Sequence, residues 1–230
     1  QIPNFITLAG LSFGLSSIRF SLDYNFEVSV ICLLLASACD ALDGFFSRVL
    51  KSESELGAEL DSLSDFLSFA VAPCILIYMS LINQNEVIGS IALLLFVVFS
   101  CIRLAVFNLN KDNTEDISNF FNGVPTPAGC GLLILPLVQS FLGLDWAKEN
   151  EIFLSIYIFI IGLLLVSNLP TFSSKQFKIK ISRKNYLYFS IFFFLVYLSL
   201  INFLWIAINI IGIMYLLSIP ISVWTYKAKN

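Results

Sequence analysis

Four aspartates, Asp40, Asp43, Asp61 and Asp65, stand in or beside segments otherwise apolar enough to lie in a membrane. An ionised carboxylate in such a place costs about 2.5 kcal/mol or more, and four together repel one another unless protonated or neutralised by cations. Arg48 and Lys51, the nearest basic residues, are too few to balance them. On a helix Asp40 and Asp43 fall at i,i+3 and Asp61 and Asp65 at i,i+4, so each pair projects from one face. Two antiparallel helices could then close the four carboxylates around a hard cation.

The elements that must carry these residues follow from composition. The chain of 230 residues is 58% hydrophobic and only 13% charged, with a mean hydropathy of +0.87, which implies an integral membrane protein. Polar breaks divide it into eight candidate helices at residues 5–20, 28–49, 57–80, 87–107, 127–144, 152–169, 187–203 and 205–224. The last break, near Asn202 to Trp205, is short enough for a tight hairpin or one broken element. The expected fold is therefore an all-α polytopic bundle of six to eight transmembrane helices, because open sheets cannot span lipid. No repeat, low-complexity tract or linker is visible, so residues 1–230 read as one membrane domain. QIPNFITLAG lacks the basic region and cleavage site of a signal peptide; the missing initiator Met suggests a trimmed start.

The absence of histidine removes the commonest general base and transition-metal ligand, leaving acid–base work to a carboxylate or lysine. Cys32, Cys39, Cys74, Cys101 and Cys130 are scattered without zinc-site spacing and read as small core residues. Nothing in the sequence supports nucleic-acid binding. With a cytoplasmic N-terminus, Arg48, Lys51, Arg103, Lys111 and the basic stretch 173–185 fall inside, while only Arg19 and Lys148 fall outside. That places the aspartates toward the cytoplasmic face of an inner membrane. The basic stretch reads as an ordinary positive-inside loop lying against anionic lipid. Asp43, about seven residues from its helix end, would sit about 10 Å deep, where a lipid can meet a water-soluble partner.

Written out, the stretch is Asp40-x2-Asp43-Gly44-x2-Ser47-Arg48-x8-Gly57-x3-Asp61-x3-Asp65. It resembles the signature of the CDP-alcohol phosphotransferases, D-x2-D-G-x2-A-R followed by G-x3-D-x3-D, with Ser47 for the usual alanine as the one departure. The resemblance implies two divalent cations, Mg2+, Mn2+ or Ca2+, with Asp40 and Asp61 bridging both, Asp43 completing the first site and Asp65 the second. It also implies that Asp65 takes the proton from the acceptor hydroxyl. Gly44, Ser47, Arg48 and Gly57 fall in the nucleotide-binding part of the pattern. Ser54, and Asn4 and Thr7 in a P-N-x-x-T stretch, resemble further contacts to the CDP-diacylglycerol donor. Taken alone, the glycines could serve helix packing and Arg48 could anchor a helix end.

Downstream, Arg103-Leu-Ala-Val-Phe-Asn108 and Phe120-Phe-Asn-Gly-Val-Pro-Thr-Pro-Ala128 are similar to stretches of the phosphatidylserine synthase branch of that family. Val106 stands where relatives often carry a second arginine. The resemblance covers about residues 1–145, the implied catalytic core, leaving 146–230 as additional transmembrane helices. It implies phosphatidyl transfer from CDP-diacylglycerol to L-serine, with Arg103 and Asn108 on serine, in a membrane-bound homodimer. Glycerol 3-phosphate or inositol are the alternative acceptors. A cation-coupled transporter is the alternative of another class, though it should place its carboxylates near the midplane and often in repeated halves.

Overall fold

The computed structural model describes residues 2–50, 55–82, 87–111, 120–167, 169–172 and 203–229. In chain order these form α1 (Ile2–Leu22), α2 (Phe26–Leu50), α3 (Glu55–Asp65), a π-helical stretch (Phe66–Val71), α4 (Ala72–Leu81), α5 (Val87–Lys111), β1 (Phe120–Asn122), α6 (Thr126–Phe141), α7 (Trp146–Glu149), α8 (Glu151–Val166), β2 (Pro170–Phe172) and α9 (Leu204–Lys229). Among them five stretches are long and apolar enough to cross a membrane: Pro3–Leu22, Phe26–Ser47, Leu56–Leu81, Val87–Leu109 and Leu204–Val223. Helices α6 and α8 are shorter apolar helices. The chain is a polytopic helical membrane protein, as its hydropathy predicts. The helix expected over 187–203 and the basic stretch 173–185 lie outside the described residues.

Helices α1 and α2 form a closely packed pair, and α1 also touches α3, the π stretch and α4. Their connection is a tight helix stop. Tyr24 adopts a left-handed φ of 56°, the Asn25 amide donates to the Phe20 carbonyl at 2.8 Å, and the Tyr24 amide donates to Ser21 at 3.1 Å. These two bonds satisfy the last carbonyls of α1 and reverse the chain within three residues. Ser17, Ser21 and Ser29 then join the two helices through buried hydroxyls at 2.8 Å. In the membrane such small polar residues let helices approach and bond across their interface.

The sequence predicts one continuous helix over 57–80, but the structure interrupts it with the π stretch. There the Ala72 amide reaches back five residues to the Leu67 carbonyl, and Pro73, which has no amide to donate, follows at the start of α4. The extra residue in the turn changes the facing of α3 relative to α4. Beyond it, Leu76 and Ile77 are fully buried. Gly14 lies against Ser68 of the π stretch so closely that a Cβ there would collide with the serine side chain.

Helix α6 contains Pro136, which cannot donate to the carbonyl of Leu132 one turn before. The Tyr157 hydroxyl of α8 replaces that donor at 2.7 Å. Tyr157→Phe should therefore leave a buried carbonyl unsatisfied and destabilise the bundle by about 1–3 kcal/mol. A lower thermal melting temperature in detergent is the expected result; an unchanged one would show that the carbonyl finds another donor.

Helix α5 packs along α8, and α6 meets α4, α8 and α9. The core they enclose includes Phe69, Phe96, Leu133, Ile158 and Ile161, while Leu94, Ile152 and Phe153 point outward, as a lipid-facing belt requires. Sequence reading missed the short α7 and the antiparallel pair β1–β2, in which Phe121 faces Thr171. Gly123, at φ +76°, turns the chain out of β1, and a Cβ there would press on the carbonyls of Ser167 and Leu165. Cys32, Cys74 and Cys130 are buried as expected, Cys39 is half-buried, and Cys101 is exposed rather than in the core.

Candidate active site

Helices α2 and α3 bring Asp40, Asp61 and Asp65 together, with one carboxylate oxygen of each lying within 4.8 Å of the others. All three are half-buried, and Asp43, one turn beyond Asp40, is 6% exposed. At an effective dielectric of about 20, charges this close repel by about 3 kcal/mol per pair. The four line a narrow recess with Thr7, Gly10, Ala36, Ser64, Ser68 and Phe69. Among the described residues that lining contains no basic side chain.

The spacing suits a divalent cation. Oxygens bound to one Mg2+ or Ca2+ lie 2.0–2.6 Å from it and so stand at most about 4–5 Å apart. Carboxylates are the hard donors such ions prefer. Asp43 is held separately: the Thr7 hydroxyl donates to its Oδ2 at 2.6 Å, with the Pro3 carbonyl at 3.1 Å also in range. The Ser64 hydroxyl in turn donates to the Thr7 carbonyl at 3.4 Å. Thr7 thus ties α1 to both aspartate helices and fixes the orientation of Asp43.

The other expected residues fall around this recess with varied fits. A Cβ on Gly44 would meet nothing within 4 Å among the described residues. Gly57 is half-buried in the first turn of α3. The Ser47 hydroxyl bonds back to the Gly44 carbonyl at 3.2 Å, which occupies it within its own helix. Asn4 is half-buried one turn before Thr7. Arg48 lies near the end of α2 with its side chain outside the described residues, as is the whole of Ser54.

Arg103 is half-buried on α5, and its Nε donates to the Val124 carbonyl. That bond joins α5 to the Gly-Val-Pro-Thr-Pro turn. Asp65 and Tyr215 both lie within electrostatic range of the guanidinium. Asn108 is exposed, and its amide donates to the Ser62 hydroxyl at 2.8 Å, linking α5 to α3 beside Asp61. Sequence reasoning missed Ser64 of α3 and Ser68 of the π stretch, which line the recess.

The profile of the CDP-alcohol phosphatidyltransferase family matches residues 1–224, well beyond the signature itself. The chain is 36% identical over 176 residues to a Mycobacterium leprae protein named CDP-diacylglycerol–serine O-phosphatidyltransferase, covering 74% of this chain and 57% of that one. A Helicobacter pylori (strain ATCC 700392 / 26695) protein of the same name is 32% identical over 182 residues, covering 78% and 76%. The chain thus spans less than two thirds of the length of the mycobacterial relative. In fold it is similar to the solved Mycobacterium tuberculosis phosphatidylinositol phosphate synthase with CDP-DAG bound, with a TM-score of 0.55, 17% identity, and coverage of 71% and 80%. With a family match over nearly its whole length and the signature aspartates gathered in one recess, the chain belongs to the CDP-alcohol phosphatidyltransferase family.

Proposed function

We propose that the chain transfers a phosphatidyl group from CDP-diacylglycerol to the hydroxyl of L-serine, giving phosphatidylserine and CMP. The observation that carries this reading is the meeting of Asp40, Asp61 and Asp65 within 4.8 Å, beside a buried Asp43, at the spacing of the family signature. The names of relatives at 32–36% identity support serine as the acceptor. The basic-residue asymmetry supports a recess facing the cytoplasm across an inner membrane.

Asp40, Asp43, Asp61 and Asp65 would hold two divalent cations, which when bound supply neutralising charge to the diphosphate of the donor. Arg103 orients the acceptor through its carboxylate, for which a planar guanidinium is a matched partner. Asp65 accepts the hydroxyl proton of serine as that oxygen bonds to the phosphatidyl phosphorus. The bond from that phosphorus to CMP breaks, and its electron pair leaves with CMP. The buried Phe69 on the wall of the recess limits access of water to the same phosphorus.

The test of the acceptor is CMP release from CDP-diacylglycerol with serine, glycerol 3-phosphate and inositol offered separately. Serine should be fastest; faster release with another alcohol would move the chain to a different acceptor. Arg103→Ala should then raise the KM for serine by about thirtyfold, the equivalent of about 2 kcal/mol for a charge-assisted bond. The KM for CDP-diacylglycerol should change little. An unaltered serine KM would reduce Arg103 to a support for the Val124 carbonyl.

A further inference from the structure

Three side-chain hydroxyls line the aspartate recess, those of Thr7, Ser64 and Ser68. Two of them are committed: Thr7 to Asp43 and Pro3, and Ser64 to the Thr7 carbonyl. Ser68 is 1% exposed, and its hydroxyl has no hydrogen-bond partner among the described residues. Elsewhere in these helices Ser12, Ser16, Ser62, Ser80 and Ser155 each donate to the carbonyl four residues before. Ser68 does not, and a buried hydroxyl left without a partner calls for an explanation.

Its place supplies one. Ser68 stands in the π stretch that directly follows Asp65, and such stretches are frequent at functional sites. Its oxygen lies against α1 where Gly14, one turn beyond Gly10 of the recess wall, carries no side chain; a Cβ there would take the oxygen's place. Ser100, Thr126 and Tyr215 also carry buried hydroxyls without a partner among the described residues, but none of them lines the recess. Mg2+ takes about six oxygen ligands and Ca2+ about six to eight. One oxygen from each of the four aspartates falls short of that number even for a single ion, so neutral oxygens must complete it. A hydroxyl oxygen is such a donor, hard and with two lone pairs.

We infer that Ser68 is a further ligand residue of the cation cluster, its hydroxyl adding a neutral oxygen beside Asp40, Asp61 and Asp65. This rests on the cation-binding part of the reading given above and is independent of which alcohol is the acceptor. The consequence for the fold is that the π stretch extends the site one turn beyond the last signature aspartate, and that the bare backbone of Gly14 makes room for the ligand. Ser68 takes no part in moving the proton and acts on cation affinity.

The experiment measures Mn2+ binding to the protein in detergent, with no substrate present, from the EPR signal of the free ion. Ser68→Ala keeps a small side chain against Gly14 and removes only the oxygen. The expected result is a rise of about tenfold or more in the Kd for Mn2+, the usual scale for loss of a supporting group at a metal site. In excess chelator the variant should melt no lower than the unaltered protein, since the hydroxyl it lacks has no partner among the described residues. Ser100→Ala, which removes an equally buried and unpartnered hydroxyl outside the recess, should bind Mn2+ as the unaltered protein does. An unchanged Kd for Ser68→Ala overturns the inference. An equal loss of affinity in Ser100→Ala, or a lower melting temperature of Ser68→Ala in chelator, overturns it too, because either would make the effect one of helix packing. Failure of the cation reading is seen separately, in an unaltered protein that binds no Mn2+.

Discussion

Asp40→Asn or Asp61→Asn is expected to abolish both CMP release and divalent-cation binding. Each change replaces an anionic hard ligand by a neutral amide in a cluster whose oxygens stand within 4.8 Å of one another. The mutual repulsion of the remaining carboxylates falls at the same time, so the variants should fold at least as well as the parent without metal. Loss of activity with an unchanged or raised melting temperature is therefore the expected pair of results. Excess chelator should silence the unaltered protein, and added Mg2+ or Mn2+ should restore it. With no histidine in the chain, no imidazole can take over as ligand. Full activity in chelator would exclude a role for the cluster as a metal centre.

The second large effect is expected at Asp65, which borders the recess and lies within range of Arg103. Asp65→Asn preserves shape but cannot accept the hydroxyl proton, and general-base catalysis is typically worth about 10²–10⁴ in rate. The loss should fall mainly on kcat, with binding of CDP-diacylglycerol retained in part. Asp65→Glu, which restores a proton acceptor at a different reach, should recover a fraction of the rate. Near-normal turnover by the Asn variant would exclude Asp65 as the base.

The aspartate recess was legible because its signal is local. Pairs at i,i+3 and i,i+4 on apolar segments determine a common face on each helix, and the glycines and aspartates stand at a recognisable spacing. The long spans were legible for a similar reason, since a run of apolar residues in lipid has few alternatives to a helix. The π stretch was not: Phe66-Leu-Ser-Phe-Ala-Val71 is equally apolar as α or π helix, and only the packing of Ser68 against Gly14 and the following Pro73 distinguish it. The Thr7–Asp43 bond spans 36 residues, and the Tyr157–Leu132 bond depends on how α8 lies on α6; neither leaves a periodic trace. The bond from the Asn108 amide to the Ser62 hydroxyl, 46 residues apart, likewise leaves no periodic trace.

Direct transfer from CDP-diacylglycerol to serine can be followed in the atoms themselves. The full-length protein would be supplied with CDP-diacylglycerol, Mg2+ or Mn2+, and L-serine carrying 18O in its hydroxyl, and the lipid product analysed by mass spectrometry. Attack by the serine hydroxyl on phosphorus predicts phosphatidylserine that retains the 18O in its phosphodiester, with one CMP formed for each lipid. CMP released equally without serine, or phosphatidic acid formed in place of a serine-containing lipid, would contradict it.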